Sequence, residues 1–366
     1  MRNGFGDISG VYADAAASAL KPAAVVAAEG AFMTDGYANA GRGICPRAGK
    51  VDEMVRRVRE RTAAFIGARR AEQIVFTRGA TEGLNRLANM LRLKPDDVVI
   101  VSDLDHHSAR LPFQTKCRIE VCPLDENFNL DSGWLCSRCK KGDVRAVVIT
   151  AMSNVMGTAQ DLKKLIAAAG GAFAIVDAAQ YVAHEKLDVG DAGAVVFSAH
   201  KMGAGTGLGV LYIRDPDALQ SDFIGGGSVA WVDGDKFEYA AAPEKFEAGT
   251  LPMVQIAGFE AALPSVSYED GNTAALRGEL ETIPGIKIVS PVGASLISFY
   301  SERHHALDIG AALGAAGICV RAGQMCASWI HKRIGIEGSV RISLGPWNDA
   351  EDAKKIAAAV KKVMAA

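Results

Sequence analysis

The chain of 366 residues lacks a dominant charge: 40 Lys and Arg stand against 42 Asp and Glu, a formal net charge of −2. Neither sign is strongly clustered, which argues against nucleic-acid binding and against attraction to an anionic membrane surface. Long apolar runs are missing too. No uncharged stretch reaches the roughly 20 residues that a membrane span needs; the nearest, residues 167–183, is interrupted by Asp177. The N-terminal MRNGFGDISGVYAD has no continuous apolar core of the signal-peptide kind, so a cytoplasmic protein is expected. Cysteines number seven, an odd count in a long chain, which suits a reducing compartment better than a disulfide framework. Internal repeats and low-complexity linkers are absent.

What the chain does have is alternation. Short runs rich in Val and Ile, at residues 73–76, 98–101, 144–150, 173–176, 194–197 and 208–213, alternate with helical patterns such as 81–91 and 162–169. Residues 51–66 form a further amphipathic pattern, with Met54, Val55, Val58 and Ala63 roughly on one face. This order predicts a largely parallel sheet covered by helices on both faces, with ligands gathered at the carboxyl ends of the strands. After about residue 262 the pattern becomes a helix, strands near 286–289 and 296–300, and helices near 307–313 and 349–364, a smaller α+β unit.

One lysine stands out. In GAVVFSAHKMGAGTGLGVLYIR an apolar run ends in Ser198, His200 and Lys201, and a glycine-rich turn leads to a second apolar run. An ammonium group is costly to desolvate unless it is paired or chemically used, although a lysine after a strand is also an ordinary surface residue. Upstream, FAIVDAAQ ends another run on Asp177 and Gln180. An acid at one strand end and a lysine at the next meet the needs of pyridoxal phosphate (PLP). The lysine forms a Schiff base, and the carboxylate holds the pyridinium proton that makes the ring an electron sink.

Other strand ends carry polar groups. FTRGATEGLN places Gly79, Ala80 and Thr81 where a strand turns into a helix, so free N–H groups and the helix dipole offer an anion site; the same turn also reads as a plain cap. DHHSARLPF supplies His106 and His107, and an imidazole stacks well on a flat cofactor. VVITAMSNVMGT ends in Ser153 and Asn154, and a buried Asn there suits a ring hydroxyl or a substrate carboxylate.

The order GATE, DHHS, SNVMGT, VDAAQ, SAHK and KFEAGT resembles the class V aminotransferase family of PLP enzymes, nearly from YADAAASALKP to RISLGPWN. Within it, the sequence is most similar to the cysteine desulfurases with a short catalytic loop, the SUF type, and to selenocysteine lyases. The resemblance implies an α/β chain of PLP fold-type I. A mostly parallel seven-stranded sheet domain would span 15–262, and a smaller α+β domain would combine 1–14 and 263–366. It implies Lys201 as the Schiff-base lysine, Asp177 on the pyridine nitrogen, Gln180 on the ring phenolate oxygen and His106 over the ring face. Ala80, Thr81, Ser198 and His200 would hold the phosphate, with Thr250 reaching it across the interface of a homodimer with shared active sites.

The resemblance also covers GQMCASW and VRISLGPWN. Arg321, Gly323 and Cys326 are in register with the family's Arg-Thr-Gly-His-His-Cys, where the cysteine thiolate takes sulfur from PLP-bound cysteine and leaves alanine. Met without context, Cys326 reads as a small buried filler. Arg341 would clamp the substrate carboxylate through a planar pairing that Lys does not reproduce, and Asn154 would assist. The short stretch from Cys326 to Arg341 implies that a sulfur-acceptor protein comes to the enzyme, as in iron–sulfur cluster assembly. Selenocysteine lyase, or another PLP-dependent carbon–sulfur lyase, remains the alternative. The chain departs from the pattern at Gln324 and Met325 (His-His in the family), at Gly203 to Gly205 and at Ala109.

Four more cysteines raise a metal site. Cys136 and Cys139 form a CxxC, but Cys117 and Cys122 flank an apparent strand and would lie about 16 Å apart along an extended chain. No metal site is expected. A catalytically idle, metal-binding sulfur carrier or interaction protein that uses the CxxC cluster is the rival from another functional class.

Overall fold

The computed structural model describes residues 5, 10–41, 43–266 and 271–365. Its centre is a seven-stranded sheet in the order Ile74–Thr77, Gly209–Ile213, Ala194–Ser198, Phe173–Asp177, Val144–Thr150, Val98–Val101, Arg118–Val121. The last five run parallel, and only Gly209–Ile213 opposes its neighbours. Val98–Val101 is buried at every position, as expected of a strand covered on both faces. Alternate residues feed two separate cores: Ile100, Val147, Val176 and Val195 on one side, Val99, Val148, Ile175 and Val196 on the other. The edge strand Arg118–Val121 is half-exposed and carries charges, which discourages pairing with another chain. Cys117 and Cys122 flank it, and Cys136 and Cys139 lie in the helix Ser132–Cys139. Among the described residues, no group of three or more His, Cys, Asp and Glu is arranged to hold a metal ion. None of the described helices is long and apolar enough to cross a membrane.

A third core gathers Val11 and Ala13 with Leu276, Phe299, Ile309, Val340 and Ile356. It lies against an antiparallel sheet of Lys287–Ile288, Ile297–Tyr300, Ser339–Ile342 and Arg321–Gly323. The N-terminal strand Val11–Tyr12 pairs with Ile318–Cys319, and Asp14 bridges to Ser343. The segment from Val11 to Asp14 is thus built into the C-terminal part.

Two details place the strand ends. Gly209 lies opposite both Thr77 and Ser198, and a Cβ there would sit 2.4 Å from the backbone of Gly79. Only glycine lets the turn before the helix Ala80–Met90 settle against the sheet. The second detail is a buried ion pair. Arg59, on the helix Pro46–Phe65, makes two hydrogen bonds of 2.8 Å to Glu247, whose carboxylate also accepts the Phe76 N–H. The KFEAGT segment is therefore bolted to the edge strand by an acid that sequence inspection passes over.

The hairpin Val229–Asp233 with Lys236–Tyr239 also escapes the pattern reading, because its apolar residues Trp231, Val232 and Phe237 are exposed rather than alternating into a core. Its Asp233-Gly234 step was a usable turn signal.

Removing one partner of a buried pair leaves an uncompensated charge, which costs about 3–5 kcal/mol. Glu247→Gln should lower the chemical-denaturation stability by that order, whereas an exposed ion-pair change such as Lys355→Gln should cost less than about 1 kcal/mol. Equal effects from the two would contradict the role given to Glu247.

Candidate active site

Three adjacent strands end side by side. Thr150 lies opposite Asp177 in the ladder, Asp177 opposite Val196, and Ser198 and Lys201 follow two and five residues on. Around these ends lies a cavity of about 340 Å³. Every residue to which the resemblance gives a site role lines it except Thr250, whereas Gly79, His107 and Ser153, also noted at strand ends, do not. Thr250 lies instead on a separate, larger cavity with Arg59, Gly226 and Glu247. In this chain, therefore, it does not meet Lys201.

Burial sets the chemistry of the charged members. Lys201 is pushed down to about 8 by desolvation, opposed by attraction to Asp177 and reinforced by repulsion from Arg341. Asp177 is 5% exposed, and burial raises its carboxyl above the usual range, opposed by the Ala179 amide (3.0 Å) and by Lys201. His106 is driven down to about 4 by desolvation, then by Lys201 and His107. Its Nδ1 lies 3.2 Å from the Ser108 N–H and 2.7 Å from the Ser108 hydroxyl, at the start of the helix His107–Gln114. The backbone donor makes Nδ1 an acceptor, so the ring is neutral with its proton on Nε2. His200 is likewise lowered to about 4, and its Nδ1 lies 3.2 Å from the Ser18 hydroxyl.

The other members show how the shell is assembled. Ser198 Oγ accepts the Ala80 N–H at 2.9 Å, joining the helix N-terminus to the strand end. Gln180 donates one amide hydrogen to the Ala16 carbonyl at 2.6 Å, which draws the N-terminal segment over the pocket. Asn154 donates to the Met325 carbonyl, and its own carbonyl accepts from Arg341, each at 2.9 Å. Its amide nitrogen thus serves the loop that carries Cys326. Cys326 is exposed, and it and Met325 adopt φ of +53° and +51°, a conformation that costs a non-glycine residue roughly 1–2 kcal/mol. The His107 N–H, bonded to the Cys326 carbonyl at 2.7 Å, helps hold that turn.

Sequence reading missed three groups. Asp105 is fully buried, accepts the hydroxyls of Thr150 and Ser102 at 2.7 Å each, and is raised to about 6 by desolvation. It supports Thr150 beside Asp177, and its only signal was its place before His106. Arg321, noted only for register, lines the cavity. Asp14 ion-pairs with both Arg341 (2.9 Å) and Arg321 (2.7 Å).

The residues present fit a bound PLP. A buried carboxylate with a single backbone donor suits a ring N–H. A neutral imidazole suits an aromatic face, and the N–H groups at the start of Ala80–Met90 suit a phosphate. Arg341 Nε is buried without a hydrogen-bond partner, which suits a ligand carboxylate.

Three partly buried imidazoles, His106, His184 and His200, have native values near 4 against 6.5 when free, desolvation being the first cause in each. Between those values the unfolded chain binds protons that the native chain does not, so this contribution is complete above pH 6.5 and is lost as pH falls towards 4. In cofactor-free protein, His106→Gln should flatten the fall of unfolding midpoint over that range by about one proton's worth. An unchanged slope would show that His106 is not held neutral.

The chain is similar to known proteins over nearly its full length. The family model described as aminotransferase class V matches residues 11–356. A cysteine desulfurase of Enterobacter sp. (strain 638) is 35% identical over 380 residues, spanning 96% of this chain and 93% of the relative. One from Escherichia coli (strain K12 / DH10B) is 35% identical over 379 residues, with the same coverage of 96% and 93%. Among solved structures, the Escherichia coli cysteine desulfurase CsdA superposes with a TM-score of 0.90 at 31% identity, over 100% of this chain and 97% of that one. The apo cysteine desulfurase of Thermococcus onnurineus NA1 gives 0.92 at 29% identity, over 97% and 95%. With its sheet order, its lysine and acid at adjacent strand ends and a family match over nearly its full length, the chain belongs to the class V aminotransferases and has their PLP fold-type I architecture.

Proposed function

We propose that the protein is a PLP-dependent cysteine desulfurase that converts L-cysteine to L-alanine and carries the sulfur on Cys326. The observation that carries this reading is one cavity shared by a desolvated lysine, a buried arginine with an unpartnered Nε, and an exposed cysteine. Relatives named cysteine desulfurase over almost the whole chain support it.

Lys201 would attach the cofactor and Asp177 would hold its ring nitrogen. His106 would cover the ring, and Gln180 and Asn154 would face its edge. Ala80, Thr81, Ser198 and His200 would hold the phosphate. When bound, the group withdraws electrons from the substrate Cα. Arg341 orients the substrate by its carboxylate. Lys201, with a value near 8, is able to exist as the neutral amine at physiological pH and so to take the Cα proton. Cys326 attacks as a thiolate: its Sγ forms a bond to the substrate sulfur and the carbon–sulfur bond breaks. The bonding pair stays with the carbon fragment, which is protonated and released as alanine. The persulfide remains on an exposed residue, open to a sulfur-acceptor protein. Supply of sulfur for iron–sulfur clusters in the cytoplasm is the use we assign to it.

Formation of alanine and, with a reductant, sulfide from L-cysteine tests this reading. Wild-type protein should form both, and Cys326→Ser should lose at least about 100-fold in rate. Undiminished alanine formation by the variant would favour a lyase that needs no persulfide, such as a selenocysteine lyase.

We further propose a homodimer in which Thr250 of the partner subunit completes the phosphate site. In support, Thr250 lies outside its own subunit's pocket, and the neighbouring surface exposes Phe223, Ile224, Trp231 and Val232. Sedimentation should give twice the chain mass, and Thr250→Ala should weaken PLP retention by roughly tenfold without splitting the dimer. A monomer that retains PLP would overturn both statements.

A further inference from the structure

Arg321 and Arg341 stand directly opposite one another on neighbouring antiparallel strands. Like charges in that position repel and destabilise a sheet. Here a third element intervenes. Asp14, 6% exposed and supplied by the N-terminal segment, bridges the two guanidinium groups, with Oδ1 on Arg341 at 2.9 Å and Oδ2 on Arg321 at 2.7 Å. Arg341 is 2% exposed, whereas the Arg321 side chain is half-exposed, and both line the cavity with Cys326. The Asn154 carbonyl takes a second Arg341 nitrogen, and its Nε is left without a partner.

These groups can be counted. Two guanidinium charges and one carboxylate leave the ligand-carboxylate end of the pocket with one net positive charge. That matches an amino acid with one α-carboxylate and an uncharged side chain. A second anion on the ligand side chain, directed towards Cys326 and Arg321, meets a positive charge that Asp14 already occupies.

We propose that Asp14 is a specificity-determining positioning residue: by bridging Arg321 and Arg341 it limits the pocket to ligands carrying a single carboxylate. The inference rests on the proposed reading of the site as one that binds amino acids by their α-carboxylate. Asp14 acts through the two arginines and does not itself touch the ligand. Losing orientation of Arg341 weakens all α-carboxylate ligands alike, whereas changing the charge count weights one-carboxylate and two-carboxylate ligands differently. The ratio of the two affinities therefore separates the electrostatic role from a merely structural one.

The test uses PLP-loaded protein and titration calorimetry with L-alanine and L-aspartate, in wild type, Asp14→Asn, Asp14→Glu and Arg321→Gln. Asp14→Asn raises the local charge by one unit and should move the ratio of dissociation constants towards aspartate by roughly fivefold, the effect of one unit charge in a partly screened site. Arg321→Gln lowers it by one unit and should move the ratio the other way. Asp14→Glu keeps the charge and should keep the wild-type ratio. Should Asp14→Asn fail to fold with Arg341 unpaired, the half-exposed Arg321→Gln decides alone. An unchanged ratio in Arg321→Gln, or shifts in the same direction in both variants, would overturn the proposal. Failure of the desulfurase reading would appear separately, as wild-type protein that releases no alanine from cysteine, and the binding ratios would remain interpretable.

Discussion

Charge held out of water at the carboxyl ends of a parallel sheet is the constraint on which this structure turns. Asp177 is buried and Lys201 half-buried, both are desolvated, and each stabilises the ionised form of the other. Their proximity depends on ladder register: Asp177 pairs with Val196, so the chain that continues past Ser198 turns back over Asp177. A slip of one residue would turn the side chain at that strand end to the opposite face. Much of the surrounding packing serves that placement. Gly209 lets the turn at Gly79 approach, and Asp105 holds Thr150 beside the acid.

A second layer of organisation joins the two parts of the chain. Asn154 lies just past a strand of the large sheet, yet its amide holds the Met325 carbonyl and its carbonyl holds Arg341. Asp14, near the opposite end of the sequence, holds Arg341 and Arg321. The loop that carries Cys326 and the buried Arg341 are thus anchored to shared partners. Two consecutive left-handed residues at the tip of that loop, Met325 and Cys326, persist because the backbone of His107 and the side chain of Asn154 bind their carbonyls. The departure from the family's His-His pair at Gln324 and Met325 falls on this strained turn.

Much was legible in the sequence because strand ends are both chemical and patterned. An apolar run that stops on Asp177, or on Ser198 and Lys201, carries its own boundary, and eleven of the nominated residues meet in one cavity. Periodicity gave the helix over residues 51–66, which in fact begins five residues earlier, at Pro46, and a Val- and Ile-rich run gave the strand Val144–Thr150. The exposed hairpin at Val229–Asp233 was not found, since its apolar residues point to solvent and show no buried face. Glu247 and Asp14 were passed over for a related reason. A lone acid in a short segment has no period, and its meaning comes from an arginine that lies 188 residues upstream in one case and 327 downstream in the other.

What the sequence by itself determined is the alternation of strand and helix, the identity of the chemical groups, and their order along the chain. Local spacing and polarity specify these, because a strand's burial pattern and a turn's glycine are written within a few residues. Tertiary structure alone decided which groups share a cavity, which are charged and which are spoken for. Lys201 near 8 and His106 near 4 are consequences of burial and neighbours, neither of which is local. The bridging of Arg321 and Arg341 by Asp14 likewise exists only once a strand from the start of the chain has docked beside strands from its end, and Thr250 sits apart from Lys201 for the same reason: distance in space is set by packing, not by order.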